Sequence, residues 1–148
     1  MKFKIRTAKK GDLEQILELY KHLHVNDLPV SGDHAKAIYK HITDSDNLHI
    51  FLLEEGGIMR ASCYLNIIEN LSRGCLPYGM IENVVTHEQY RRQGFAKAIV
   101  QHTLSFAWAE NCYKVMLMTG QKELVPFYES CGFDDFEKSA LVIRAPAL

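Results

Sequence analysis

The sequence lacks the features that mark several broad classes of protein. It contains no run of about 18 apolar residues, the length that a membrane-spanning helix requires. Residues 1–6 alternate charged and apolar side chains, so they lack the apolar centre of a secretion signal. The formal net charge of −1 provides no basic excess for binding nucleic acid. These absences predict a cytoplasmic protein with neither a membrane nor a nucleic-acid partner.

Signatures of disulfides and metal sites are also absent. The seven histidines include no H-x-x-x-H pair and no H-E-x-x-H motif. The four cysteines lie far apart and form no C-x-x-C pair: Cys63, Cys75, Cys112 and Cys131. The sequence therefore predicts reduced thiols and no metal.

The patterns that are present are those of a mixed fold. With 148 residues, of which 47% are hydrophobic and 24% charged, the chain is expected to form one globular domain, residues 1–148. Strand patterns occur at 3–7, 48–53, 58–68, 80–86, 114–119, 133–136 and 141–144. Helical patterns begin at Asp12, near residue 31, at Arg91 and at Phe127. This order predicts an α/β (α+β) domain with a mixed central sheet of about seven strands flanked by about four helices.

The first two helices are expected to pack on the sheet. Asp12, followed three residues later by Gln15, predicts a capping box at the start of the first helix. One apolar stripe of that helix comprises Leu13, Ile16, Leu17, Tyr20 and Leu23. The inward positions of the second helix are Ala35, Ile38, Tyr39 and Ile42.

The stretch from residue 81 to residue 97 carries the strongest functional signal. An apolar, β-branched strand runs into a turn that contains Arg91, Arg92 and Gly94, and a long amphipathic helix follows, predicted over 91–110. The first N–H groups of a helix have no partner within it, and the helix dipole adds roughly half a positive charge there. Glycine lets the backbone approach an oxygen closely. The stretch therefore predicts a phosphate site, although an ordinary helix start with solvated arginines has the same pattern.

Two motifs of this chain resemble those of the GNAT superfamily, the Gcn5-related N-acetyltransferases. The [R/Q]-x-x-G-x-[G/A] signature is similar to Arg91-Arg92-Gln93-Gly94-Phe95-Ala96. The F-Y-x-x-x-G-F segment is similar to residues 127–133. The predicted order of strands and helices also matches that family, and the resemblance covers nearly the whole chain. It implies an N-acetyltransferase that uses acetyl-CoA as cosubstrate.

The resemblance also implies which residues bind acetyl-CoA. In the family the strand before the turn bulges and splays from its neighbour, so that its free backbone pairs with pantetheine and supplies oxyanion donors. The turn holds the pyrophosphate with backbone amides, and the side chains of Arg91 and Lys97 either contact phosphate or are solvated. Carried over, the cofactor residues are Val84, Val85, Thr86, Arg91, Arg92, Gln93, Gly94, Phe95, Ala96 and Lys97.

Acyl transfer to an amine requires a base, oxyanion donors and an acid for the leaving thiolate. Tyr128 is the candidate acid, because it matches the tyrosine of the family's F-Y pair; a purely structural hydroxyl is the alternative. Glu82 is the candidate base, directly or through water, because it interrupts an apolar strand and burial would raise its pKa. Its alternatives are a substrate-orienting carboxylate or half of an ion pair. Strand alternation places Glu82 on one face with Val84 and Thr86, and Asn83 on the other.

Residues 81–85, 112–114 and 126–129 are also similar to glucosamine-6-phosphate N-acetyltransferases. That group places an arginine for the sugar phosphate where this chain has Arg144, reaching across a dimer, which implies a possible homodimer. However, this chain has Met118-Thr119-Gly120 where the group carries an acidic residue. Arg73, Thr119 and Arg144 are the candidate substrate residues.

The sequence predicts acetyl transfer from acetyl-CoA directly to a primary amine of a small molecule, such as an amino sugar or an amino acid derivative. No cysteine is placed for an acyl-enzyme. In the family, the segment corresponding to residues 22–33 often covers the acceptor; it is otherwise a plain loop between helices. The alternatives are a protein or peptide N-acetyltransferase, in which this segment forms an open groove, and a CoA-binding sensor without turnover. A sensor needs neither Glu82 nor Tyr128.

Overall fold

A computed structural model describes residues 2–28, 30, 32–135 and 138–146 of the chain. The chain divides into two compact units, Met1–Leu117 and Met118–Leu148. Among the helices within the described ranges, none is long and apolar enough to cross a membrane.

The first unit is built on one sheet of five strands in the order β1-β2-β3-β4-β5. Neighbouring strands from β1 to β4 are antiparallel, whereas β5 is parallel to β4 because the intervening helix α3 crosses over between them. In chain order the elements are β1 (Phe3–Thr7), α1 (Leu13–Tyr20), α2 (Gly32–Asp44), β2 (Leu48–Glu55), β3 (Ile58–Ile68), β4 (Tyr78–Thr86), α3 (Phe95–Ala109) and β5 (Val115–Leu117).

Helices cover both faces of this sheet. Leu52 on β2 joins the cluster formed with Ile16 and Leu19 of α1 and Tyr39 of α2. The next side chain along β2, Phe51, points to the opposite face, where its ring lies 5.1 Å from that of Phe106 on α3. Because side chains alternate between the two faces of β2, this strand contributes to the core on each side of the sheet. Helices α1 and α2 lie on one face and α3 lies on the other.

The second unit contains one helix, α4 (Val125–Ser130), preceded by a 3-10 turn at Lys122–Leu124. The strands predicted at 133–136 and 141–144 are not present in its described part; Phe136 itself lies outside the described residues. A segment of four residues becomes a strand only beside a partner that completes its hydrogen bonds. The prediction of about seven strands is therefore wrong and five are observed, but the mixed α/β class and its four helices are confirmed.

The start of α1 differs from the predicted capping box. The Asp12 side chain makes no cap hydrogen bond. Instead, Arg6 on β1 donates to both of its carboxylate oxygens, at 2.7 and 3.0 Å, and the Lys9 N–H donates to Oδ2 at 2.8 Å. The Arg6 hydrogen bonds, together with that of Lys9, hold the pKa of the buried Asp12 carboxyl below its usual value. An arginine on β1, six residues before Asp12, thus takes the oxygens that a local cap would use.

We predict that Asp12→Asn lowers the free energy of unfolding at pH 7 by about 2 kcal/mol, since it removes charge-assisted hydrogen bonds. The folded-state pKa is lowered, so the stabilisation is complete above the unfolded value of 3.8 and is lost as pH falls through the folded value. Urea unfolding of both proteins at several pH values measures this difference. If the difference in unfolding free energy between the wild type and Asp12→Asn stays constant from neutral pH to about pH 3, the lowered pKa of Asp12 is contradicted.

The matched control is Glu18→Gln. Glu18 also lies at α1 and is paired with Lys21, but its side chain is 70% exposed. Its neutralisation is expected to change the stability by less than about 0.5 kcal/mol.

Candidate active site

Strand β4 carries one extra residue relative to β3. Glu82 pairs with Tyr64 and Val85 with Ser62, so Asn83 and Val84 together stand opposite Cys63. Asn83 has a φ of 48°, a left-handed conformation that asparagine tolerates better than most residues. This is a β-bulge, at the position where the GNAT resemblance implied one.

The bulge changes which side chains share a face of β4. Directly paired residues lie on the same face of a sheet, so Glu82 lies on the face of Tyr64, and Val85 on that of Ser62. Tyr64 and Ser62 are two residues apart on β3 and therefore lie on the same face of the sheet. Glu82 consequently shares its face with Val85. Simple alternation had placed Glu82 with Val84 and Thr86, and that prediction is wrong because the extra residue shifts the alternation by one position.

Beyond the bulge β4 has an open edge. Its ladder with β5 ends at the pair Ile81–Leu117. From Glu82 to Thr86, the described first unit therefore provides no strand on that side of β4, while the other side remains paired with β3. Within the first unit these main-chain groups face no neighbouring strand, and an extended ligand that paired with them would add to the sheet as a strand does.

The basic turn, residues 91–97, connects this open strand to α3. After a 3-10 turn at Glu88–Tyr90, Arg92 and Gly94 adopt left-handed φ values of 61° and 85°. The helix was predicted to begin at Arg91, but it begins at Phe95, because left-handed residues do not continue a right-handed helix.

This geometry leaves several amides unpaired. The first bond of α3 runs from the Ala98 N–H to the Gly94 carbonyl, at 3.0 Å. Among the described residues, no backbone N–H of residues 92–97 donates a hydrogen bond to a backbone carbonyl. A curled turn whose N–H groups point outward at a helix start binds anions.

The charged side chains of the basic turn behave differently from one another. Arg91 donates through Nη2 to the His22 carbonyl at 3.0 Å and through Nε to the Thr86 carbonyl at 3.4 Å. It therefore ties the end of β4 to the residues after α1, a role that sequence reasoning did not consider. Arg92 and Lys97 are exposed at the surface of the turn.

Glu82 is exposed, so its expected burial is wrong. The premise that the carboxylate is costly within an apolar strand no longer holds, because β4 presents this residue to solvent. It makes no ion pair with any described residue, which removes the ion-pair alternative.

A cluster of aromatic and charged side chains, which sequence reasoning missed, supports the basic turn. The His22 and His87 rings lie 4.1 Å apart between centroids, and the Arg60 guanidinium lies 3.6 Å from the centre of the Tyr90 ring. Partial desolvation, and then the proximity of His22, lower the pKa of His87. These residues come from three separate segments, with His87 and Tyr90 in the same turn, so no local sequence signal could have grouped all of them.

In the second unit Tyr128 lies on α4 and is half-buried. Its ring contacts those of Phe127 and Phe133, with centroids 5.0 and 6.2 Å away. Its carbonyl accepts from the Phe133 N–H at 3.2 Å, and Gly132, with a φ of 103°, reverses the chain between them. The F-Y-x-x-x-G-F motif is thus a compact local unit that fixes the tyrosine backbone.

The three candidate substrate residues lie in irregular segments. Arg73 is exposed in the 3-10 turn Arg73–Cys75 of the first unit, with a φ of 54°. In the second unit the Thr119 hydroxyl donates to the Gln121 carbonyl at 3.3 Å, and Arg144 is exposed.

Comparison with known proteins agrees with this geometry. The family model described as "Acetyltransferase (GNAT) family" matches residues 13–133. A glucosamine 6-phosphate N-acetyltransferase of Trypanosoma brucei brucei is 32% identical over 135 residues, 90% of each chain.

Two solved structures share the whole fold. One, from Agrobacterium tumefaciens str. C58 and described as an acetyltransferase, has a TM-score of 0.90 and 40% identity, covering 96% of this chain and 99% of its own. The glucosamine-6-phosphate N-acetyltransferase of Arabidopsis thaliana has a TM-score of 0.86 and 28% identity, covering 98% and 99%. The chain therefore belongs to the acetyltransferase (GNAT) family and is an acetyl-CoA-dependent N-acetyltransferase.

Proposed function

We propose that this enzyme transfers the acetyl group of acetyl-CoA directly to a primary amine of a small molecule. The observation that carries the proposal is the continuous path from the open edge of β4, beyond the bulge, to the unpaired amides of the basic turn. An extended pantetheine arm followed by a pyrophosphate matches this path in chemistry. Relatives that acetylate a small amine, glucosamine 6-phosphate, support the same class of acceptor.

In this proposal acetyl-CoA binds in two parts. Pantetheine amides pair with the main chain of Val84, Val85 and Thr86, and one N–H of this segment stabilises the oxyanion as it forms. The pyrophosphate rests on the amides of Arg92 to Lys97, where the α3 dipole favours negative charge. Arg92 and Lys97 add charge from their side chains, whereas Arg91 positions the turn through its bonds to two carbonyls.

The amine attacks the thioester carbonyl carbon, and the C–S bond breaks as the tetrahedral intermediate collapses. Glu82 accepts the amine proton through water, a role that its exposed position permits. Tyr128 gives its proton to the departing thiolate. The role of Tyr128 rests on its motif, and that of Glu82 on its place in the bulged strand.

The remaining features of the proposal come from the resemblance. We propose that residues 1–148 act as one catalytic domain, since the family match runs through both units. We also propose a cytoplasmic homodimer, with Arg73, Thr119 and Arg144 as acceptor contacts.

Calorimetric titration with acetyl-CoA, followed by a thiol-release screen across amines that includes glucosamine 6-phosphate, tests this function. We expect micromolar binding and release of CoA with at least one small amine. Binding without release from any small amine, with release from peptide amines, would favour a protein acetyltransferase. Binding with no release at all would indicate a sensor, and an absence of binding would contradict the whole assignment.

We predict that Gly94→Leu raises the acetyl-CoA dissociation constant at least tenfold, about 1.4 kcal/mol. A side chain at Gly94 meets no protein atom within 4 Å, so it points into the space where the pyrophosphate would lie. The matched control is Gly57→Leu in the β2–β3 hairpin, because Gly57 also has positive φ and open space. Both variants lose about 1–2 kcal/mol of stability from left-handed strain. Equal acetyl-CoA affinity in the two variants would place the phosphates elsewhere.

We predict that Tyr128→Phe lowers kcat about a hundredfold, because a general acid typically contributes at least that much. The acetyl-CoA dissociation constant is expected to change less than about twofold, since the hydroxyl acts only on the leaving group. Steady-state thiol release and calorimetry measure the two quantities. Tyr113→Phe, at an exposed tyrosine before β5, is the control and should retain wild-type turnover. Unchanged turnover in Tyr128→Phe would assign the acid to another group.

A further inference from the structure

A cavity of about 310 Å³ lies between α1, α2 and the sheet face that they cover. Its volume falls at the lower end of small-ligand pockets, about 300–1,000 Å³. Val30 and Ile38 line it and are 56% and 50% exposed, which places a mouth toward solvent at the α2 side.

The cavity wall is mainly apolar. Aliphatic side chains of α1 and α2, such as Leu17 and Ile42, face Ile50 and Tyr64 on the sheet. Among its described lining residues there is no lysine, arginine, aspartate or glutamate, and the one histidine is His34 on α2. A phosphate group transferred into the aliphatic part of this space would lose its hydration without gaining a lysine or an arginine as partner, which is unfavourable.

One end of the cavity is polar and adjoins the bulge of β4. Tyr20 and Asn83 both line the cavity, and the Tyr20 hydroxyl lies beside Ser62 and Asn83. The hydroxyls of Tyr20 and Ser62 are buried and have no hydrogen bond of good geometry within the described chain. Burial raises the pKa of Tyr20 to about 12, so its hydroxyl remains protonated at neutral pH. A molecule bound in the cavity would meet the Tyr20 hydroxyl and the Asn83 amide at its polar end.

The position of Asn83 connects the cavity to the reaction. Asn83 was expected to face away from Glu82 and to be structural, but the bulge turns it toward the α1 side, where it lines this cavity. Its chain neighbours are Glu82, the proposed base, and Val84, the first residue of the proposed pantetheine segment. A molecule that filled the cavity would therefore present its polar end next to the thioester.

We propose that this cavity receives the apolar part of the acyl acceptor, so that the preferred substrate is a primary amine with an aliphatic or aryl body. This inference rests on the proposed acetyl transfer. The amine nitrogen lies at the Tyr20–Asn83 end and forms its bond to the acetyl carbon there. The C–S bond breaks, the nitrogen loses one proton, and the CoA thiolate gains one. An amino sugar phosphate is disfavoured because its hydroxyls and phosphate would lie mostly against the aliphatic wall, away from the polar Tyr20–Asn83 end.

The test compares thiol release, at saturating acetyl-CoA, for 2-phenylethylamine, hexylamine, ethanolamine and glucosamine 6-phosphate. We expect kcat/KM for the two apolar amines to exceed that for ethanolamine and for glucosamine 6-phosphate at least tenfold. Equal or better activity with glucosamine 6-phosphate would overturn the inference but leave the acetyl transfer intact. No release with any amine would overturn the proposed acetyl transfer, and with it the inference.

Two variants locate the preference in the cavity. Ile38→Trp narrows the mouth and should raise KM for 2-phenylethylamine at least tenfold, while KM for ethanolamine and the acetyl-CoA dissociation constant stay within about twofold of wild type. Ile58→Trp is the matched control, because Ile58 is also an isoleucine, is 53% exposed and does not line the cavity. If Ile38→Trp and Ile58→Trp have the same KM for 2-phenylethylamine, the apolar amine binds elsewhere.

The second variant, Tyr20→Phe, keeps the ring and removes the buried hydroxyl. It should lower kcat/KM for 2-phenylethylamine at least threefold and leave acetyl-CoA binding and far-UV circular dichroism unchanged. If Tyr20 is purely structural, kcat/KM for Tyr20→Phe stays at the wild-type value. That result would show that the amine does not bind at the Tyr20–Asn83 end.

Discussion

The extra residue in β4 is the constraint on which the rest of the site depends. Asn83 and Val84 occupy the space opposite Cys63, so the alternation of the strand shifts by one position from there on. The same residues follow the point where β5 stops pairing, and the main chain therefore leaves the sheet edge open. Without the bulge, Val85 would point to the opposite face and leave the cluster around Ile16 and Leu52, so the core itself helps to hold the bulge in place.

The basic turn is held by contacts that come from distant parts of the first unit. Arg91 bonds the carbonyls of His22 and Thr86, and thereby joins the end of β4 to the residues that follow α1. Arg60, whose side chain is nearly buried, lies over the ring of Tyr90 just before the turn. Such a cation–aromatic contact stabilises a loop more when it is shielded from water. The amides are thus preorganised for an anion, which avoids an ordering cost on binding.

The helix α1 shows what a periodic pattern of apolar residues predicts and what it leaves undetermined. Ile16 of the predicted stripe is buried in the core, with Leu13, Tyr20 and Leu23 packed against that core. Four residues of the same stripe also line the cavity: Leu13, Ile16, Leu17 and Tyr20. Leu19, which the predicted stripe did not include, is 3% exposed. The pattern identifies the inward side of a helix, but the space between two helices depends on their separation. A cavity of this kind therefore leaves no trace in the spacing of apolar residues.

The sequence by itself determined the features that a few neighbouring residues control. Strand and helix periods, the glycine at 94 with the arginines before it, and the F-Y-x-x-x-G-F unit are local, and they sufficed for the α/β class and the acetyltransferase family. Only the tertiary structure decided the bulge, the exposure of Glu82, the partner of Asp12 and the cavity beside Asn83. Each of these depends on a residue from another strand or helix, and a register or a gap between elements is set by the packing of both partners.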